Sequence, residues 1–176
     1  MSTASRDGAE AAPEAFLDLS AFEPLRPAEE LMLRAYLNDD IARVGLRRPI
    51  VRISDIAVRG SFVAVLARGG TDARFTPKSV QVVGAWIEGR VDLRNAHVPE
   101  PLWFYRCVFD ATPRLDGASV SGNVSFAGCL LPGLRADDAV IGGVLALNSG
   151  CVVRNEVHLA RAVIGQDLNC ERLQLR

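Results

Sequence analysis

The residues of this 176-residue chain most suited to metal or redox chemistry are its four cysteines and two histidines. Cys107, Cys129, Cys151 and Cys170 follow one another at intervals of 22, 22 and 19 residues, with no C-x-x-C pair. Such wide, regular spacing does not make a structural zinc site. His97 and His158 each sit between apolar or small neighbours, share no local motif, and offer neither a metal site nor a general base. Asp137-Asp138 and Asp92 would become a carboxylate pair only through an accident of folding, and no Ser/His/Asp arrangement can be defended. The glycines open no phosphate-binding loop of the strand–G-x-G-x-x-G–helix or P-loop kind. The chemistry-bearing residues therefore predict no catalytic residue, no cofactor and no metal.

The spacing of the cysteines has a simpler origin in a repeat that runs from Ala85 to Arg176. Small residues recur about every eleven positions: Ala85, Ala96, Cys107, Ala118 and Cys129, then Ala139, Gly150 and Ala162 with slips of one residue. Two residues after each stands an aliphatic or aromatic one, as in Ile87, Val98, Phe109 and Val120. A second apolar pair at i and i+2 follows, as in Val91/Leu93, Leu102/Phe104 and Val124/Phe126. A fixed period of this kind means stacked like units. The alternation within each unit is that of short strands with one buried face, and frequent glycines supply the corners. Eleven residues then make half a coil and 22 a full one. Roughly four coils give a rod of about 20 Å at ~4.8 Å per coil. Cys107 and Cys129 are expected to stack as buried, reduced thiols one coil apart, with Cys170 in an interior slot as well.

The runs VDLRNAHV (91–98) and GQDLNCERLQL (165–175) resemble the pentapeptide-repeat family, whose units read A-(D/N)-L-x-x. The resemblance implies a right-handed parallel β-helix of quadrilateral cross-section. It covers about residues 50–176, although Asp or Asn before the central Leu is frequently replaced, as in Val124-Ser125-Phe126. The segment DARFTPKSVQVVGAWIEGRVDL (72–93) is similar to the leading part of a bacterial subgroup of large, often membrane-associated proteins. The fold class expected is thus mainly β, with an N-terminal α-helical cap. The divisions are a flexible tail over residues 1–22, the cap over 23–80 and the solenoid over 81–176.

The cap is read from periodicity. Pro27, Glu29 and Glu30 suit a helix start, and Leu33, Leu37, Ile41 and Val44 form an apolar stripe up to Gly45. Ile50, Val51 and Ile53 could form a short extended piece. A second helix, capped by Ser54 or Asp55, carries Val58, Phe62, Val65 and Leu66 and stops at Gly69-Gly70. Repeat proteins need such a cover over the first coil, so Phe62, Val65 and Leu66 are expected to lie over Val82, Ile87 and their neighbours.

Net charge is −1, which favours neither nucleic acid nor an anionic membrane. The charges are unevenly placed, however. Residues 1–40 hold three Arg against nine acids, and residues 43–78 hold seven Arg and one Lys against two Asp. Folding of the acidic part against the basic one is the simplest expectation. No stretch approaches the ~20 apolar residues of a membrane span, and no secretory leader is read at the start. A cytoplasmic protein is expected, with any membrane-peripheral placement arising from a C-terminal region beyond this chain.

Three aromatic residues are expected to point outward. Leu102 and Phe104 take inward slots, so Trp103 and Tyr105 face away, as does Trp86 between Ala85 and Ile87. Outward Trp and Tyr are typical interface anchors, unless the N-terminal part covers them. At the other end Leu173 and Leu175 continue the pattern to the last residue. That predicts either a fragment of a longer solenoid or a homo-oligomer joined through the C-terminal coil. The function expected is a non-catalytic scaffold for an unknown protein partner. A DNA mimic acting on a topoisomerase, which the resemblance brings in, would need a strongly negative face, whereas arginines run through the whole solenoid. An enzyme with a site on a lateral face would need longer turns to wall a cleft.

Overall fold

The computed structural model describes residues 17–69 and 76–176. From Val80 onward the chain winds as a four-walled parallel β-solenoid of about four coils. The first wall stacks β1 (Ala42–Arg43), β3 (Val80–Val83), β6 (Leu102–Tyr105), β9 (Val124–Ala127), β13 (Leu145–Ala146) and β17 (Leu168–Asn169). The second stacks β2 (Ala57–Arg59), β4 (Trp86–Glu88), β7 (Val108–Phe109), β10 (Leu130–Leu131), β14 (Val152–Val153) and β18 (Gln174–Leu175). The third holds β11 (Leu134–Arg135) and β15 (Val157–His158), extended by bridges through Asp92, Arg114 and Arg135. The fourth holds β5 (His97–Val98), β8 (Ser119–Val120), β12 (Val140–Ile141) and β16 (Val163–Ile164).

The 22-residue coil follows from the register: Leu102 pairs with Val124, and Val108 with Leu130. One coil is a residue short. Arg114 lies beside Arg135 and Val124 beside Leu145, and Gly150 restores the count at a corner where it and Ser149 both have positive φ. Stacked like residues fill the interior. The rings of Phe104 and Phe126 lie parallel at 5.5 Å, and Phe109 meets both edge-on from the second wall. Cys107, Cys129 and Cys151 are buried and unpaired as disulfides. Burial pushes the Cys129 thiol well up and the Cys151 thiol to about 12.

The corners are not glycine alone. Asn95, Arg106, Asp138, Ser149, Arg161 and Arg172 take the left-handed conformation beside Gly84, Gly117 and Gly128. Asn and Asp tolerate this region, while Arg is uncommon in it.

The N-terminal part closes the first coil in two different ways. β1 and β2 extend the first two walls by one strand each, Ala42 pairing with Val82 and Val58 with Ile87. Against the other side lies helix α2 (Gly60–Arg68), packed on β3 and β5. Its Phe62 and Leu66 are fully buried, with Val65 half-buried, and Arg68 donates a hydrogen bond to the Asp92 carbonyl. Helix α1 (Pro27–Leu37) rests on β1, β2 and β3 through Ala28, Met32, Leu33 and Tyr36.

Several local expectations change. The first helix stops at Leu37, because Asn38 caps it and Asp39 turns left-handed at φ 53. Its stripe is therefore Ala28, Met32, Leu33 and Tyr36, and Ile41 and Val44 lie beyond its end. The second helix begins only at Gly60: Ser54–Ile56 is a 3₁₀ turn and Ala57–Arg59 a strand, since the open edge of β4 supplies ladder partners. Ile50, Val51 and Ile53 join no sheet. The tail expected to be flexible lies outside the described residues up to residue 16. Beyond it Leu17 and Phe22 are buried, Phe22 edge-on to Phe62 at 5.4 Å. Cys170 is exposed although its slot points inward, for it stands in the last coil with no further coil stacked on it.

Candidate interaction surface

The period-2 geometry of β6 decides where its aromatic residues go. Leu102 and Phe104 are buried, while Trp103 and Tyr105 are 42% and 39% exposed on the outer face of the first wall. Trp103 lies in register between Gln81 and Ser125, and Tyr105 between Val83 and Ala127. On one side the small Ser125 and Ala127 leave both rings standing proud of the wall. Arg106 follows at the corner, and its guanidinium lies 4.8 Å from the Tyr105 ring centroid, a cation–π contact.

The segment from Val44 to Ile53 reaches the same corner. It leaves β1, passes Gly84 at Gly45 and runs along the edge between the first two walls before returning to β2. Arg106 Nη1 donates to the Leu46 carbonyl at 3.1 Å. One and two coils further on, Arg48 Nη1 points at the carbonyls of Gly128, Cys129 and Gly150 at 3.3 to 3.5 Å. Arg47, Arg48, Arg106, Gly128, Ser149 and Gly150 line an open recess of about 410 Å³. Leu46 and Ile50 are 80% and 95% exposed at its margin and on the returning limb.

Trp86 belongs elsewhere. It lies on the second wall between Ala57 and Val108, half-buried, and its indole N–H is buried with no partner among the described residues. The structure therefore joins Trp103 and Tyr105 on one face and separates Trp86 from them. Leu175 is exposed and Leu173 half-buried at the last coil, beside the exposed Leu168.

A run of acid–arginine pairs lies along the third wall and its corner. Arg94 holds Asp92 down to about 2, and Arg161 lowers Asp138. Burial works against ionisation of Asp116, but Arg114 and Arg135 outweigh it and keep its carboxyl below the usual range. Arg135 also reaches Asp137. That wall thus alternates in sign and is not an acidic face. His158 meets Glu156 at 2.6 Å by a shallow recess of about 170 Å³, whereas His97 lies on the fourth wall. Among the described residues no group of three His, Cys, Asp or Glu side chains could hold a metal ion, and no helix is long and apolar enough to cross a membrane.

Among the described residues, the acidic N-terminal part meets the basic segment chiefly through one buried pair. Glu29 is wholly buried, and Arg59 grips it with Nε at 2.8 Å and Nη2 at 2.5 Å. Glu88 takes Arg26 and Arg52. Arg47, Arg48 and Arg106 have no carboxylate within ion-pair distance among the described residues. The sequence marked the basic segment but not this convergence, because Arg106 is nearly sixty residues away in the chain. No family model matches the chain, and comparison with curated proteins and with solved structures gives no match.

Proposed function

We propose that this chain is a non-catalytic scaffold that binds a protein partner through the outer face of its first wall. One observation carries the reading. Trp103 and Tyr105 stand exposed at i and i+2 on a strand hydrogen-bonded on both sides, next to Arg106. Trp, Tyr and Arg dominate binding energy at protein interfaces. Anchors fixed on a ladder lose little freedom when a partner arrives. The proposal includes kinship with pentapeptide-repeat proteins, supported by the four-walled coil and the motifs at 91–98 and 165–175, and a cytoplasmic location, supported by four unpaired cysteines. The test is affinity capture from the source cells with the intact protein and a Trp103→Ala/Tyr105→Ala variant. A specific partner retained by the first and lost by the second is expected; identical capture by both would refute the reading. A turnover screen that found robust activity, abolished by one surface substitution, would replace it with an enzyme.

A second reading rests on the last coil. Leu168 and Leu175 occupy inward slots, beside Leu145 and Val153, yet are 47% and 64% exposed. A second copy placed coil against coil would bury both together with Leu173. Sedimentation over a concentration series tests it: dimer formation weakened by Leu175→Asp is expected, and a monomer throughout would exclude it.

A further inference from the structure

We propose that the corner recess beside Tyr105 is a binding site for a phosphate-type oxyanion. This stands on the recess alone and does not depend on the first wall binding a protein.

Three guanidiniums line the recess, and its floor is corner backbone: Gly128, Ser149 and Gly150. The three arginines come from parts of the chain that the fold alone brings together. Arg106 is fixed by stacking on Tyr105 and by one bond to the Leu46 carbonyl. Arg48 is half-buried and turned toward three neutral carbonyls. Arg47 is exposed and has no partner among the described residues. Seven other arginines of the solenoid and its cap are instead neutralised in pairs. Arg26, Arg52, Arg59, Arg94, Arg114, Arg135 and Arg161 all lie against a carboxylate. Here two held cations, Arg48 and Arg106, and the free Arg47 line one recess whose recorded partners are neutral oxygens and one aromatic ring, an arrangement that a multiply charged anion relieves.

The chemistry of the donors selects the ligand. Guanidinium forks match the paired oxygens of phosphate and carboxylate, remain charged at every physiological pH, and keep free N–H groups here after their bonds to carbonyls. Gly150 leaves open space where a β-carbon would stand, so an oxygen can approach the corner closely. The volume of about 410 Å³ falls in the range of small-molecule sites but is open to solvent. An anion held there is gripped by charge more than by enclosure. A doubly charged phosphoryl group, free or carried on a small molecule, fits this best.

Isothermal titration with inorganic pyrophosphate, and in a separate arm with a sugar monophosphate, tests the site at physiological ionic strength, where purely diffuse attraction is screened. One-site binding is expected. Arg47→Ala and Arg106→Gln should each weaken it at least about tenfold, as expected for loss of a charge-assisted hydrogen bond. Arg161→Ala, on a distant corner, should leave it unchanged. Stronger binding of the sugar phosphate would assign a small phosphate ester, and stronger binding of pyrophosphate a bare inorganic oxyanion. Melting curves of the variants establish that each is folded. Absence of saturable binding in both arms, or equal weakening by Arg161→Ala, would overturn the proposal.

Discussion

Gly45 and Gly84 meet backbone to backbone: a β-carbon on Gly84 would lie 2.3 Å from the Gly45 carbonyl oxygen. Gly84 also has φ +69. This is where the segment bearing Arg47 and Arg48 is pinned to the first corner. Gly84→Ala combines left-handed strain with a backbone clash and is expected to cost about 1–3 kcal/mol. The segment should lift from the corner, so trypsin should cut at Arg47 or Arg52 faster than in the parent protein while the coil signal in circular dichroism persists.

The buried Glu29–Arg59 pair gives the cap a pH dependence. Burial opposes ionisation of Glu29, yet the bonds from Arg59 and from the Arg26 and Arg59 amides hold its carboxyl below its ordinary value. A carboxylate with a depressed folded-state pKa contributes fully above its unfolded value of 4.5, and that contribution disappears as pH falls through the folded value. Melting temperature should therefore drop as the solution is acidified through that window, less so in Glu29→Gln. At neutral pH the same substitution should cost about 3 kcal/mol, the lower part of the range for a broken buried pair, because Arg59 keeps some contact with water.

The thiols should separate into two classes. Cys107, Cys129 and Cys151 are buried, with the last two held strongly protonated, whereas Cys170 is exposed. A thiol reagent should label one cysteine quickly in the native protein and all four after denaturation. Rapid labelling of two or more without denaturant would contradict the stacked interior.

Phe104 joins the ring of Phe126 above it to Phe109 beside it and is fully buried. Phe104→Ala should destabilise the fold by about 3–5 kcal/mol in chemical denaturation. Its outward neighbour behaves differently: Trp103→Ala should stay within about 1 kcal/mol of the parent, since the ring packs on one side only. Equal losses at both positions would show that Trp103 is covered.

The solenoid was legible in the sequence because its rule is local. Alternation places Leu102 and Phe104 inward, and the 22-residue spacing of Cys107 and Cys129 is the coil itself. Even the short coil could be read, as the single missing residue between Cys129 and Ala139. The cap was legible only in outline. Apolar spacing is the same whether Val58 belongs to a helix or to a strand, and the choice was made by the unpaired edge of Ile87, which offers hydrogen bonds that a helix start would leave unmade. Likewise Ala42 pairs with Val82 because the first wall needs a neighbour there, not because its own sequence demands a strand.

By itself the sequence determined the repeat and the inward and outward faces of each strand, and hence that Trp103 and Tyr105 point away from the interior. Only the tertiary structure decided which outward residues share a face. Trp86 follows the same local rule as Trp103 but lies on another wall, partly covered beside β2, and Cys170 follows the interior rule but stands in an open coil. The meeting of Arg47, Arg48 and Arg106 was likewise invisible in one dimension. Periodicity reports the direction of a side chain from its own strand, while proximity across a corner depends on how a distant segment closes its backbone hydrogen bonds.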